Sequence, residues 1–195
     1  MFLFPAAGLI GLGFGYLRGG GFSSLASVSL RHNWLVAVAV ALQVGQGHGP
    51  LRELGDGPHR VIVLLSYGAI GAWLMLNAPG RSPALRGGIS LVALGFVLNV
   101  AAIVANGAMP VSEAALQRVG EDRAAVSQSQ LWKHVRATPD TSLSGLGDII
   151  PVPGPEGIRS VVSAGDIVML LGFALALAAA MADPEPAPGL SRSRP

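Results

Sequence analysis

Long apolar runs separated by short polar segments make up most of the chain. Five of these runs predict membrane-spanning helices, at about residues 2–17, 25–46, 61–77, 87–106 and 162–182. The apolar stretch from Asn33 to Gln46 is shorter than the roughly 20 residues that a bilayer requires, so its helix is predicted to begin earlier, near Leu25. The pattern therefore predicts an all-α fold, a polytopic helical membrane bundle of about five transmembrane helices.

The first run, from Phe2 to Leu17, has no Lys or Arg before it, and no Ala-x-Ala type site follows it. A secretory signal peptide requires both features, so this run is predicted to be a retained helix. Gly11 and Gly15 form a small-xxx-small pattern that would let another helix approach closely. The alternative is that these glycines are filler in an apolar run.

The longest polar interval, residues 107–160, is predicted to be a partly helical loop outside the bundle. Ser112 is a suitable N-cap for a short helix that ends near Val119. Residues 1–182 are thus predicted to form a single membrane domain that includes this loop.

A second loop helix is predicted from about Asp122 to Ala137, with an apolar face that includes Val126 and Trp132. Such a helix would lie on the bilayer or cap the bundle. His134, within it, is predicted to be a surface residue rather than a catalytic one. Residues 183–195 are rich in Pro, Ser and Arg and predict a disordered tail.

The composition excludes several classes of protein. Hydrophobic residues make up 51% of the chain and charged residues only 12%, about half the roughly 25% typical of soluble domains. The absence of cysteine excludes disulfides, thiolate metal sites and a cysteine nucleophile. A net charge of +2 is too small to indicate a nucleic-acid partner. The expected partners are membrane lipid and a membrane protein or lipid-linked substrate, with no cofactor and no metal.

Arginines predict the orientation of the bundle in a cell membrane. The first and third connections and the tail would all lie on one side of a five-span bundle, and that side should be cytoplasmic. The N-terminus is then extracytoplasmic, the C-terminus cytoplasmic and the long loop external. The arginines concerned are Arg18, Arg31, Arg81, Arg86, Arg192 and Arg194.

Polar residues inside or beside the spans are interpreted mainly as structural. Gln43, Gln46 and Asn99 are predicted to bond between helices, because an unpaired polar group in lipid costs free energy. His48 and His59 would be solvated loop histidines, since their spacing matches no metal site.

Asp148 and Asp166 are the candidate catalytic residues. Asp166 precedes sixteen residues without charge, so it lies where water gives way to hydrocarbon, and Asp148 lies eighteen positions earlier, across a Pro/Gly-rich loop. Two carboxylates that approach one another do not both ionise readily, so one can keep a proton while the other activates water. Ser163, Gly165 and Gly172 are the predicted supporting residues. Alternatively, Ser163-x-x-Asp166 is only a capping box and Asp148 an ordinary turn residue.

Four segments spread along the chain resemble a bacterial family of multi-pass membrane proteins of unknown function. This resemblance implies a membrane location and a shared core, and no activity. The segments are Leu17-Arg18-Gly19-Gly20, Asn106-Gly107-Ala108-Met109-Pro110-Val111, Leu146-Gly147-Asp148-Ile149-Ile150-Pro151 and Ser163-Ala164-Gly165-Asp166-Ile167.

The stretch from Asp148 to Gly172 also resembles the end of signal peptidase II, the lipoprotein-processing aspartyl peptidase. Asp148, Asp166 and Gly172 match two aspartates and a glycine of that family, which implies a catalytic role for both aspartates. The chain departs from that pattern at Val162 and Ser163, where the family has an aromatic residue and Asn. It also lacks the Gly-Asn-x-x-Asp-Arg motif and has five predicted spans where the family has four.

Two functional hypotheses follow. The first is a signal peptidase II-like hydrolase at the extracytoplasmic membrane surface. The second is a non-catalytic membrane assembly or binding partner in which the aspartates are structural caps. An ion-coupled carrier is disfavoured because the spans between residues 61 and 105 carry no ionisable group apart from the arginines of their connection.

The predicted orientation can be tested with single-cysteine variants, since the chain has no cysteine of its own. A membrane-impermeant maleimide added to intact cells should label Gly120→Cys and leave Pro83→Cys unlabelled. Labelling at position 83 and not at 120 would reverse the orientation.

Overall fold

The computed structural model describes residues 3–48, 55–120, 134–155 and 158–182. These residues are mostly helical, with four short strands in the long loop. The helices are α1 (Leu3–Leu17), α2 (Phe22–Ser27), α3 (Trp34–His48), α4 (Asp56–Asn77), α5 (Pro83–Asn106), α6 (Glu113–Arg118) and α7 (Ala164–Ala182). The strands are β1 (Met109–Val111), β2 (His134–Arg136), β3 (Ile150–Val152) and β4 (Ser160–Val162).

Three helices are long and apolar enough to cross a membrane: Gly57–Asn77, Pro83–Asn106 and Ala164–Ala182. Two further apolar helices, Leu3–Leu17 and Trp34–Gln46, are shorter than a usual span. The described part of the chain therefore has the architecture of a membrane protein with three helices of spanning length.

Helices α5 and α7 run antiparallel with their backbones in contact. A Cβ atom added at Gly95 would lie 2.3 Å from the carbonyl oxygen of Gly165, and one added at Gly172 would lie 2.6 Å from the nitrogen of Val92. One added at Gly88 would lie 2.6 Å from the nitrogen of Ala176. Small residues at a helix interface allow this approach, which gives van der Waals packing where lipid removes the hydrophobic driving force.

Helix α1 packs on another side of α7 by the same means. A Cβ atom at Gly11 would lie 2.5 Å from the carbonyl oxygen of Ala174, and one at Gly15 would lie 2.9 Å from the Cβ of Met181. The prediction that these two glycines let a helix approach is confirmed, and the filler alternative is wrong.

Helices α3 and α4 form an antiparallel hairpin that is bonded through polar side chains. Gln43 Nε2 donates to Ser66 Oγ at 2.8 Å, and Gln46 Oε1 lies 3.0 Å from His59 Nδ1. These bonds confirm the predicted interhelical role of both glutamines. The prediction for His59 is wrong: it lies inside α4 and is 8% exposed, because the helix begins five residues before the predicted span.

The prediction of one helix from Leu25 to Gln46 is also wrong. The helix is interrupted between Ser27 and Trp34. Asn77 occupies both backbone groups of Arg31 there: the Arg31 N–H donates to Asn77 Oδ1 at 2.8 Å, and Asn77 Nδ2 donates to the Arg31 carbonyl at 2.9 Å. Because these groups are used by a distant side chain, they are not available to a continuous helix.

The strands correct the all-α prediction. β1 pairs with β2 in parallel, and β3 pairs with β4 antiparallel. The helix predicted from Asp122 to Ala137 is wrong at residues 134–136, which form β2 because the β1 edge satisfies their backbone; residues 121–133 lie outside the described chain. The short helix is confirmed as α6, with Ser112 Oγ accepting from the Ala115 N–H.

The helix directions give the bundle two ends, and among the described residues only one of them carries Asp or Glu, although both carry arginines. The arginine end comprises Arg18, Arg31, Arg81 and Arg86 with the segments around them, and among its described residues there is no Asp or Glu. The carboxylate end comprises Asp148, Asp166 and the loop strands. The tail predicted at residues 183–195 lies outside the described chain.

Replacement of Gly95 by Ala should destabilise the bundle by about 1–3 kcal/mol, because the added methyl group meets backbone atoms of α7 that cannot move independently. Gly68→Ala is the matched control: Gly68 is also inside a spanning helix, and a Cβ there meets no atom within 4 Å. Unfolding in graded detergent mixtures would measure both. Equal effects would show that α5 and α7 do not make this contact.

Candidate functional site

The backbone of Asp148 is held by β1. Its N–H donates to the Pro110 carbonyl at 2.8 Å, and its carbonyl accepts from the Ser112 N–H at 2.9 Å. The preceding residue must be small, since a Cβ atom at Gly147 would lie 2.5 Å from the Pro110 carbonyl oxygen. Gly147 and Asp148 are therefore packed and hydrogen-bonded against β1, so Asp148 is not an ordinary exposed turn residue.

Pairing of β2 with β1 places His134 beside Asp148. The register of β1 and β2 pairs Met109 with His134. His134 Nε2 then lies 3.6 Å from Asp148 Oδ2, an ion pair when the imidazole is protonated.

Asp148 is 8% exposed. Burial, and to a smaller extent the negative charge of Asp166, raises the pKa of Asp148 from its ordinary value of 3.8 to about 7. The two predicted aspartates are therefore close enough for one to affect the ionisation of the other, at the same end of the bundle.

Asp166 belongs to a closed set of hydrogen bonds that joins α5 to the start of α7. Asn99 Nδ2 donates to Asp166 Oδ1 at 2.7 Å, and Ser163 Oγ donates to Asn99 Oδ1 at 2.8 Å. The Asp166 N–H donates to Ser163 Oγ at 2.9 Å, while the Ser163 N–H donates to Asp166 Oδ2 at 3.0 Å. The last two bonds are a capping box.

Gly165 makes this arrangement possible. A Cβ atom there would lie 2.0 Å from Asn99 Oδ1, so any other residue would displace the amide. Gly172, the other predicted supporting glycine, lies two turns further along α7 and contacts α5. The two glycines support the site by letting α5 approach.

A cavity of about 300 Å³ opens beside Asp166. Its polar lining comes from Asp166, Asn99, His134 and Tyr67, and the rest of its lining is apolar. Asp148 contacts His134, one of the lining residues. An apolar pocket with a few convergent polar groups is the usual form of a ligand site. The apolar lining residues are Phe96, Val100, Ile103, Met109 and Met169.

Three polar residues that line this cavity, His134, Asn99 and Tyr67, were not identified from the sequence as chemical groups. His134 was predicted to be a surface residue, because its contact depends on a strand register that the local sequence does not indicate. Asn99 was predicted to face another helix, which is confirmed, but its partner was not identified. Its position as a lone amide within an apolar helix was the available signal. Among the described residues, no three His, Cys, Asp or Glu side chains are grouped so as to hold a metal ion.

The raised pKa of Asp148 predicts a fall in stability with rising pH. The unfolded chain ionises Asp148 near 3.8 and the folded chain near 7, so stabilisation that is complete below pH 4 is lost as the pH rises through 7. The loss is on the order of a few kcal/mol, at about 1.4 kcal/mol per pKa unit. Thermal unfolding in detergent at pH 5 and pH 8 should show it.

Asp148→Asn should remove this part of the pH dependence, while Asp140→Asn, at an exposed loop carboxylate, should retain it. A pH dependence that is identical in Asp148→Asn and the unsubstituted protein would contradict the assignment.

Comparisons with known proteins give a family and no activity. No curated protein and no solved structure matches the chain significantly. Residues 27–178, most of the chain and all of the site described above, match a family of unknown function, DUF5317. The chain belongs to this family.

Proposed function

We propose that the carboxylate end is the active site of a membrane hydrolase that uses Asp148 and Asp166 in the manner of signal peptidase II. The observation that carries this proposal is the burial of the Asp148 carboxyl at the same end of the bundle as Asp166: burial first, and the charge of Asp166 second, raise the pKa of Asp148 to about 7. A pair with one protonated and one ionised member is what aspartyl hydrolysis requires near neutral pH.

The two aspartates have different environments, which suggests their roles. Asp166 accepts hydrogen bonds from two N–H groups, as an ionised carboxylate does. It is the proposed base, and buried Asp148 is the proposed acid. Asp166 takes a proton from water as the water oxygen bonds to the substrate carbonyl carbon, and Asp148 gives its proton to the carbonyl oxygen.

The second half of the reaction restores both groups. As the bond from carbon to the leaving nitrogen or oxygen breaks, Asp166 returns its proton to the leaving group. Asp148 regains a proton from the hydroxyl of the tetrahedral intermediate. One water is consumed, and the products are a carboxylic acid and an amine or alcohol.

The mainly apolar cavity beside Asp166 favours a membrane-borne substrate, a peptide or lipid-linked bond held at the bilayer surface. In the proposed topology α1 and α3 also cross the membrane, which gives five spans. The arginine end then faces the cytoplasm and the site faces outward in a bacterial cell membrane.

The second candidate function is a non-catalytic assembly or binding partner. The capping box and the Asn99 bond favour it, because they use both oxygens of Asp166 and tie α7 to α5. In this case Asp166 fixes the helix start, and the external face of the loop is the functional surface.

Oxygen-18 labelling would test the proposed hydrolysis without a known substrate. Purified protein in bilayer discs would be incubated in H₂¹⁸O with a detergent extract of cell-membrane peptides and lipoproteins. Mass spectrometry would then count new carboxylates that carry one ¹⁸O atom. We expect Asp148→Asn and Asp166→Asn to lower this count at least 100-fold, because Asn has nearly the same volume but cannot exchange a proton.

Asp140→Asn is the matched control and should retain full activity. The capping role predicts a different result: Asn at position 166 still accepts the Asn99 bond, and loss of the Ser163 bond costs about 1 kcal/mol. Two results would contradict the hydrolase and favour the assembly partner. In the first, both Asn variants produce as many ¹⁸O-labelled carboxylates as the unsubstituted protein. In the second, the unsubstituted protein produces no more of them than discs without protein.

A further inference from the structure

A second cavity lies at the arginine end of the bundle, away from the carboxylate site. It has a volume of about 270 Å³ and lies between α2, α4, α5 and α7. Along α5 its lining extends from Leu85 to Val92, a depth of about 10 Å at 1.5 Å per residue. Apart from Asn77 and Arg81, the rest of the lining is apolar or aromatic and includes Val28, the residue that follows α2.

The polar lining residues of this cavity, Asn77 and Arg81, lie together at the arginine end, and this part of the cavity is called its mouth. Arg81 Nε donates to the Asn77 carbonyl at 3.1 Å, and Arg81 Nη2 donates to the Ser29 carbonyl. These bonds fix the guanidinium at one end of an otherwise apolar space. A guanidinium has five N–H donors in a planar fork that matches a phosphate group.

The surroundings of the mouth favour a negatively charged ligand. Arg31 and Arg86 lie on the same end as Arg81, and within the described chain this end has no carboxylate side chain. Three of its four walls, α4, α5 and α7, are helices of membrane-spanning length, so a lipid can reach the cavity from these sides. Apolar walls with a cation at the headgroup level match an acyl chain attached to a phosphate.

We propose that this cavity binds one phospholipid with a net negative headgroup, its acyl chain between α4, α5 and α7 and its phosphate on Arg81. The site does not depend on the proposed hydrolase, because it shares no lining residue with the cavity beside Asp166. A zwitterionic lipid of the same chain length has the same apolar part, so charge at the mouth determines the preference.

Native mass spectrometry of the delipidated, detergent-solubilised protein would test the site. The probes are dioleoyl phosphatidylglycerol and dioleoyl phosphatidylcholine, which have identical acyl chains. We expect one molecule of phosphatidylglycerol to bind tightly and phosphatidylcholine to bind with at least fivefold lower affinity. A basic residue at the headgroup contributes about that factor. Equal affinity for the two lipids would overturn the proposal.

Charge variants distinguish a site from general surface attraction. Arg81→Gln should weaken the binding of phosphatidylglycerol about fivefold. Arg81→Lys keeps the charge but not the planar fork, so its loss of affinity should be smaller. Arg86→Gln is the matched control: it removes one charge from an exposed position on the same end, outside the cavity lining, and should have little effect. Equal losses in the two Gln variants would mean diffuse attraction and overturn the site.

A cavity-filling variant tests the acyl chain separately, and it does not alter the bonds of Arg81. Val28→Phe adds volume from the α2 side and should abolish the single bound lipid. Val97→Phe adds the same ring at a position on α5 that is 60% exposed, and should leave binding intact. Undiminished binding in Val28→Phe would show that no acyl chain occupies the cavity.

Discussion

The direct backbone contact between α5 and α7 is the constraint on which the rest of the structure depends. It requires glycine on both helices, since a Cβ atom at Gly95 or Gly165 would lie within 2.3 Å of an atom of the other helix. Only at this separation can the Asn99 amide reach Asp166 and Ser163. A polar group at membrane depth must find a protein partner, so the glycines and the hydrogen-bonded set form one unit.

The sequence predicted the helices well where apolar length alone determines them. It failed where a distant polar side chain competes for the backbone. Asn77 bonds both backbone groups of Arg31, 46 residues earlier, and the predicted helix is interrupted there. It failed again at His59, where burial follows from pairing with Gln46 across the α3–α4 hairpin. No local pattern indicates either contact.

The candidate site, too, was predictable from the sequence only where no distant contact determines it. Asp148 and Asp166 could be identified from their position beside the start of an apolar run, and the capping box could be identified from the three-residue spacing of Ser163 and Asp166. His134 could not, because its place beside Asp148 depends on the parallel pairing of two strands far apart in the chain. Gly147 and Gly165 each precede an aspartate. The sequence does not show why glycine is needed there, because the reason is a close contact with the Pro110 carbonyl in one case and with the Asn99 amide in the other.

A structural role accounts for the presence of a carboxyl group at Asp166 but not at Asp148. For Asp166, the hydrogen bonds to Ser163 and Asn99 are a sufficient reason for an acid in the first turn of α7. Asp148 is different, because its two backbone hydrogen bonds would form with any residue other than Pro at this position. Its carboxyl is nevertheless buried near another negative charge, which raises its pKa and lowers stability at neutral pH. Asp148 also contacts His134, which lines the cavity beside Asp166. A buried carboxyl with a raised pKa is typical of functional sites, so Asp148 is the residue that favours chemistry over capping.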